Sequence, residues 1–294
     1  MSANHSFNIA TNIFEEKDHN GNLLCLSDEI TIEYIEKCLE QFPTNLFKLY
    51  DSDNNFIILS RKFYTDFIKT HLIRYPTNLF KLYDLNNNPI ILNRKFTVGF
   101  IKKHLKQYPT NLFKLYDKDG QSAILNDKFG LDFIKEHLKQ YPTNLFEIKD
   151  KDNNYIILNY RFKLDFIKEH LKHHPTNLFE IKDKDNNYII LDHLFGIEFI
   201  KEHLEQYPTN LFEMKDEYNN YIILNYGFDI EFIEKHLKQY PTNLFEPVMP
   251  IRAPPLLSHK FTPDFINKHR LFCEKHKIWK ESNENDYKLS IFLK

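Results

Sequence analysis

The chain has 294 residues, a formal net charge of −2 and 42% hydrophobic residues. That apolar fraction can build a core, and the near-zero charge excludes a global pull toward nucleic acid or an anionic membrane. No apolar run approaches the ~20 residues of a membrane helix, and three cysteines, Cys25, Cys38 and Cys273, cannot all pair, so reduced thiols in an intracellular, cytoplasmic protein are expected.

Residues 1–9 form a short lead with neither the basic nor the apolar region of a secretion signal. From residue 10 a unit of 33 residues takes over. PTNLF begins at Pro43, Pro76, Pro109, Pro142, Pro175, Pro208 and Pro241, and Ala10-Thr11-Asn12-Ile13-Phe14 is a degenerate first copy. A fixed period of this length marks stacked repeats, none of which buries its apolar face alone. Residues 10–273 are therefore expected to form one solenoid of eight units, with residues 274–294 as a capping tail.

The fifth unit, Pro142–His174, shows the anatomy. Leu145–Lys149 alternates apolar and polar residues, which reads as a half-buried strand. Asp150–Asn154 reads as a turn. Its fourth position is Gly or Asn in the first seven units, from Gly21 to Asn219, the two residues that enter the left-handed region most cheaply. Tyr155–Leu158 reads as a second strand. Phe166, Ile167, His170, Leu171 and His174 then fall on one face of a helix of about three turns. The proline of the next PTN stops it. The expected fold class is an α+β repeat solenoid, each unit a β-hairpin plus one helix.

The end units depart from the pattern as caps do. Ala10 and Cys38 replace Pro and His in the first. In the last, Pro247, Pro250, Pro254 and Pro255 break the hairpin. The tail from Arg270 is expected to prolong the last helix and cover the end, with Trp279 as anchor.

The unit resembles the ankyrin repeat. The period is 33; Asp117–Leu125 is similar to the ankyrin hairpin entering its first helix, and Leu131–Leu138 to the start of its second helix. The T-P-L-H signature is absent, and Ile-Ile-Leu stands where an alanine-rich helix would begin. The resemblance implies an alternative unit of helix, helix and hairpin, and a protein-binding scaffold.

His71, His104, His137, His170, His203, His236 and His269 recur at the period, with Cys38 completing the column. Packed helices lie about 8–10 Å apart, too far for neighbours to share an ion at ~2.1 Å. Buried, neutral histidines satisfied by a polar neighbour are expected instead. The DxDNN turns lack the glycine and glutamate that a calcium loop needs at its sixth and twelfth positions. The Thr-Asn pair of every unit is expected to be structural, its Asn side chains stacking as a ladder and satisfying backbone at the helix-to-strand corner. No catalytic motif falls outside the repeat register, so no catalytic residue, metal or cofactor is expected.

Repeat arrays hold their core constant and vary exposed positions along a face. Two rows vary here. One precedes each helix and includes Arg61, Lys62, Arg94, Lys95, Tyr160, Arg161 and Tyr226. The other lies on the expected first strand and includes Tyr50, Tyr83 and Tyr116. Arg and Tyr most often anchor interfaces. The sequence thus points to a monomeric, non-enzymatic scaffold that binds a protein, with neither nucleic acid nor membrane as partner. A self-assembling structural protein is the alternative.

Overall fold

The computed structural model describes residues 11–216, 221–225, 227–246, 261–280 and 283–292. The chain divides into two compact units, Met1–Asn144 and Leu145–Lys294. The first holds α1 (Ile32–Gln41), α2 (Thr65–Arg74), α3 (Val98–Gln107) and α4 (Leu131–Gln140). The second holds α5 (Leu164–His173), α6 (Ile197–Gln206), the single turn α7 (Ile222–Asn225), α8 (Ile230–Gln239), α9 (Pro263–Lys275) and α10 (Asn283–Phe292).

The expected β-hairpin is not what forms. Among the described residues there is no strand; each hairpin shrinks to one antiparallel bridge, such as Tyr50 with Phe56 and Lys149 with Tyr155. The Leu-Phe-Lys segments wind into 3-10 turns at Leu46–Lys48, Leu79–Lys81 and Leu112–Lys114. The Ile-Ile-Leu segments do the same at Ile57–Leu59, Ile90–Leu92, Ile156–Leu158 and Ile189–Leu191. Local hydrogen bonding explains the first change. The Asn45 side chain accepts from the Phe47 N–H at 3.0 Å, and Asn78 and Asn111 do so for Phe80 and Phe113. A side chain that satisfies the backbone two residues on pulls it into a turn before a ladder can start. Where the ankyrin resemblance places a first helix, the described segments are one turn long, as at Ile57–Leu59 and Ile222–Asn225. The α+β class is thus replaced by a helical repeat whose main α-helix is ten residues long in the first seven units and 13 in the last.

The turn itself forms as its composition suggests. Asp51 Oδ1 accepts from the Asp53 N–H at 3.0 Å and the Asn55 N–H at 2.8 Å, and Asn54 sits at φ 64°. Asp84, Asp117, Asp150 and Asp183 repeat the arrangement. These carboxylates are thus committed to their own loops.

Each of α1–α6, α8 and α9 starts after an extended residue. Thr31, Thr97 and Thr262 accept through their side chains from the N–H three residues on, as does Asp229. Down its buried side runs a stack of rings four residues apart. In the second repeat it is Phe63, Phe67, His71 and Tyr75, with neighbouring centroids 4.7–5.9 Å apart. Leu46, Phe47, Ile57, Ile58 and Ile68 complete that repeat's core, all buried.

At the C-terminal end α9 runs to Lys275, longer than its sisters, but does not continue through the tail. Lys277 takes φ 57°, and α10 follows as a separate helix. Trp279 meets the Phe245 ring edge-on at 4.9 Å, and Tyr287 reaches it at 5.9 Å. The expected hairpin break at Pro247–Pro255 lies outside the described residues.

Candidate partner-binding surface

The column histidines face inward. In each of seven repeats Nε2 accepts the N–H of the leucine 25 residues earlier: His71 from Leu46 at 3.0 Å, His104 from Leu79 at 3.1 Å and His137 from Leu112 at 2.9 Å. His170, His203, His236 and His269 do the same, each at 3.0 Å. The bond ties each helix to the opening turn of its own repeat. An accepting Nε2 places the single ring proton on Nδ1. Burial pushes each of these seven imidazoles down to about 4. With Nε2 engaged, the column offers no metal ligands on that edge. Among the described residues no group of three or more His, Cys, Asp or Glu could hold a metal ion.

The Thr-Asn pair is structural too. Thr77 Oγ1 donates to the Tyr75 carbonyl at 2.9 Å, and Asn45 Nδ2 reaches Thr77 of the next repeat at 3.4 Å. Where Glu180 and Glu213 replace the earlier lysines, Asn177 and Asn210 donate to those carboxylates instead, both at 2.9 Å.

The row before the helices splits in two. Arg61 and Arg94 are exposed. Lys62 and Lys95 are not free heads: Lys62 Nζ donates to the Ser27 carbonyl, and Lys95 Nζ to the carbonyls of Ser60, at 2.6 Å, and of Phe63. Lys128 donates likewise to Asn93 and Phe96. Burial lowers the pKa of all three. Each ammonium donates to carbonyls at the previous repeat's helix entry, those of Phe63 and Phe96 and those of Ser27, Ser60 and Asn93, which also accept a backbone N–H, and this makes these lysines links between repeats. The sequence hid this, because lysine beside a turn reads as solvent-facing; the recurrence of Lys62, Lys95 and Lys128 at one register was the available signal. Arg161, at the same register, is half-buried. Tyr160 is 80% exposed. Tyr226 lies outside the described residues.

The tyrosine row stands on the turn edge of the first compact unit, with Tyr50, Tyr83 and Tyr116 exposed by 45%, 40% and 38%. Tyr50 packs on its bridge partner Phe56 at 4.8 Å. In the second unit the pair is reversed: Lys149 lies 4.3 Å from the Tyr155 ring centre and Lys182 4.4 Å from Tyr188. The bridge position thus presents a phenol in the second to fourth repeats and an ammonium over a ring in the fifth to seventh. No helix among the described residues is long and apolar enough to cross a membrane. Comparison with protein-family models, curated proteins and solved structures returns no match.

Proposed function

We propose that the chain is a non-enzymatic scaffold that binds another protein through the exposed rows Arg61, Arg94 and Tyr160, and Tyr50, Tyr83 and Tyr116. The observation that carries this reading is the division between a constant interior and a changing exterior. The histidine bonds recur in seven repeats within 2.9–3.1 Å, while exposed positions change charge and size from repeat to repeat. Duplication that preserves only folding needs no such variation, and a repeat array that binds does. Tyrosine and arginine suit the role because they bring large contact area and fork-shaped donors.

The test is retention of proteins from cell extract by the immobilised intact chain. A specific protein is expected to be held, and to be lost when Tyr50, Tyr83 and Tyr116 become alanine together. Retention no better than that of an acid-unfolded sample would overturn the reading. Self-assembly is the second reading, motivated by the acidic first repeat beside basic second and third repeats. A sedimentation mass that grows with concentration would favour it.

A further inference from the structure

Grooves run between successive helices, and they are not equal. The groove between α2 and α3 has a volume of about 640 Å³, against about 100 Å³ between α3 and α4. The α3–α4 groove is closed by one residue. Lys102 reaches across to Glu136 on α4 and lies over the Phe133 ring at 5.6 Å. Lys168 does the same in the other compact unit, bonding Glu202 at 2.8 Å above Phe199 at 5.5 Å.

Three substitutions, together with the exposure of Phe100, keep the α2–α3 groove open. The residue opposite Lys69 is Lys103, where Glu136, Glu169 and Glu202 stand in the next three repeats; lysine returns at Lys235 and Lys268. Like charges cannot bridge, and Lys69 turns back to Asp66 on its own helix at 2.7 Å. Phe100 is half-exposed, as is Phe232, while Phe67, Phe133, Phe166 and Phe199 at its register are buried. Gly99 stands where every other repeat has Asp or Glu. Its missing side chain leaves the α3 entrance clear, the nearest outside atom being 3.9 Å from a Cβ placed there. Ile73 is 82% exposed where other repeats have Lys, Glu or, in the last, Leu271. The result is a trough with an apolar floor of Leu72, Ile73 and Phe100 and lysines on both walls.

We infer that the α2–α3 groove is a docking site for an acidic amphipathic segment of a partner protein, which seats one large apolar side chain on Phe100 and Ile73 and its carboxylates against Lys69 and Lys103. This inference rests on the scaffold reading and gives it a second, chemically defined contact. Charge selects the occupant: one lysine has only an exposed ion pair, Lys103 faces no carboxylate across the groove, and Gly99 removes the acidic group that would repel an acidic ligand. The floor distinguishes the occupant from a phosphate chain, which would leave Ile73 and Phe100 in water. A ten-residue helix is about 15 Å long, so a segment of about that length in residues can lie along the trough, anchored by a central apolar residue.

The experiment uses a blocked, fluorescein-labelled probe peptide of about ten residues, rich in Glu with a central Phe, titrated against the intact chain by anisotropy. Three variants close the groove with residues that sister repeats carry and fold around: Gly99→Asp, Lys103→Glu and Ile73→Lys. Circular dichroism verifies their folding. Each is expected to weaken the probe about tenfold or more, and so is replacing the probe's Phe by Ala. Equal binding by parent and closed variants overturns the site. Equal binding of the Phe-free probe reduces it to charge attraction and overturns it too. Tighter, Lys103-dependent binding of a single-stranded DNA oligonucleotide reassigns the groove to phosphate. A dimer abolished by Lys103→Glu in sedimentation reassigns it to a second copy. Proteins retained unchanged by the closed variants would sink the groove and leave the scaffold standing; probe binding with no retained protein would do the reverse.

Discussion

At the scale of single residues, the bond from Leu112 N–H to His137 Nε2 has the largest consequence. His137 is buried, and its ring also contacts Phe113 at 5.6 Å and Tyr141 at 4.7 Å. His137→Ala leaves a buried donor without an acceptor and opens a ring-sized space, so a loss of about 3–5 kcal/mol is expected. His137→Gln offers a carbonyl oxygen in place of Nε2 and is expected to recover part of that loss. Urea denaturation of the three proteins measures both numbers, and equal losses for Ala and Gln would show that ring packing, not the hydrogen bond, holds the helix. The two neighbours Arg94 and Lys95 make a second contrast. Lys95→Met keeps the stem but removes the donor of the Phe63 carbonyl and the second donor of the Ser60 carbonyl, which also accepts the Phe63 N–H, so about 1–3 kcal/mol should be lost. Arg94→Ala changes an exposed side chain and should stay within about 0.5 kcal/mol. Reversal of that order in melting experiments would contradict the inter-repeat role of Lys95.

The elements show which physical signals a sequence displays and which it conceals. The helices were legible because Phe166, Ile167 and His170 repeat at the spacing of one face, and ten residues are enough for a period to show. Leu-Phe-Lys and Ile-Ile-Leu are three residues each, too short for a period to separate strand from helical turn, and their β-propensity pointed to the state that tertiary context rejects. The burial of the histidines was also legible, from their place on the apolar face. Their acceptor role was not, because the donor lies 25 residues away and no local pattern links the two. The open α2–α3 groove was visible only by comparing Gly99 and Lys103 with their register partners. The left-handed turn position was read correctly, and it carries a prediction. Asn153 sits at φ 65°, where a Cβ branchless of hydrogen-bonding help is disfavoured by about 1 kcal/mol. Asn153→Ala should therefore destabilise by about that amount, while Asn153→Gly should be nearly neutral, as Gly120 at φ 66° already shows is compatible with the turn. A thermal shift of equal size for both would mean that side-chain bonding, not backbone conformation, selects Asn there.

At the scale of the molecule, the repeated histidine turns a local feature into a global pH dependence. Each imidazole is held down to about 4 by burial, against an unfolded value of about 6.5. Between these values the unfolded chain binds a proton that the folded chain refuses, so stability rises with pH across the window and falls as acid is added. The contribution is complete above about 6.5, declines on acidification and is exhausted once pH passes below about 4. Protonation also turns Nε2 from acceptor to donor, opposing the leucine N–H it now receives. Each site can contribute a slope of at most about 1.4 kcal/mol per pH unit. His71, His104 and His137 belong to one compact unit and His170, His203, His236 and His269 to the other. Three or four such sites remove several kcal/mol by about pH 5, comparable with the ~5–15 kcal/mol that holds a domain together. Unfolding is thus expected near pH 5, before the folded histidines titrate. A urea series from about pH 7.5 to 5 should show midpoints falling steeply with acid, and His137→Gln should reduce the proton uptake on unfolding by about one. The carboxylates with lowered pKa values, Glu169 and Asp229 among them, act in the same direction but at lower pH, so the upper part of the window belongs to the imidazoles. Flat midpoints across it would mean that the column is reached by water, and the helix-to-turn bond could not then be what orders each repeat.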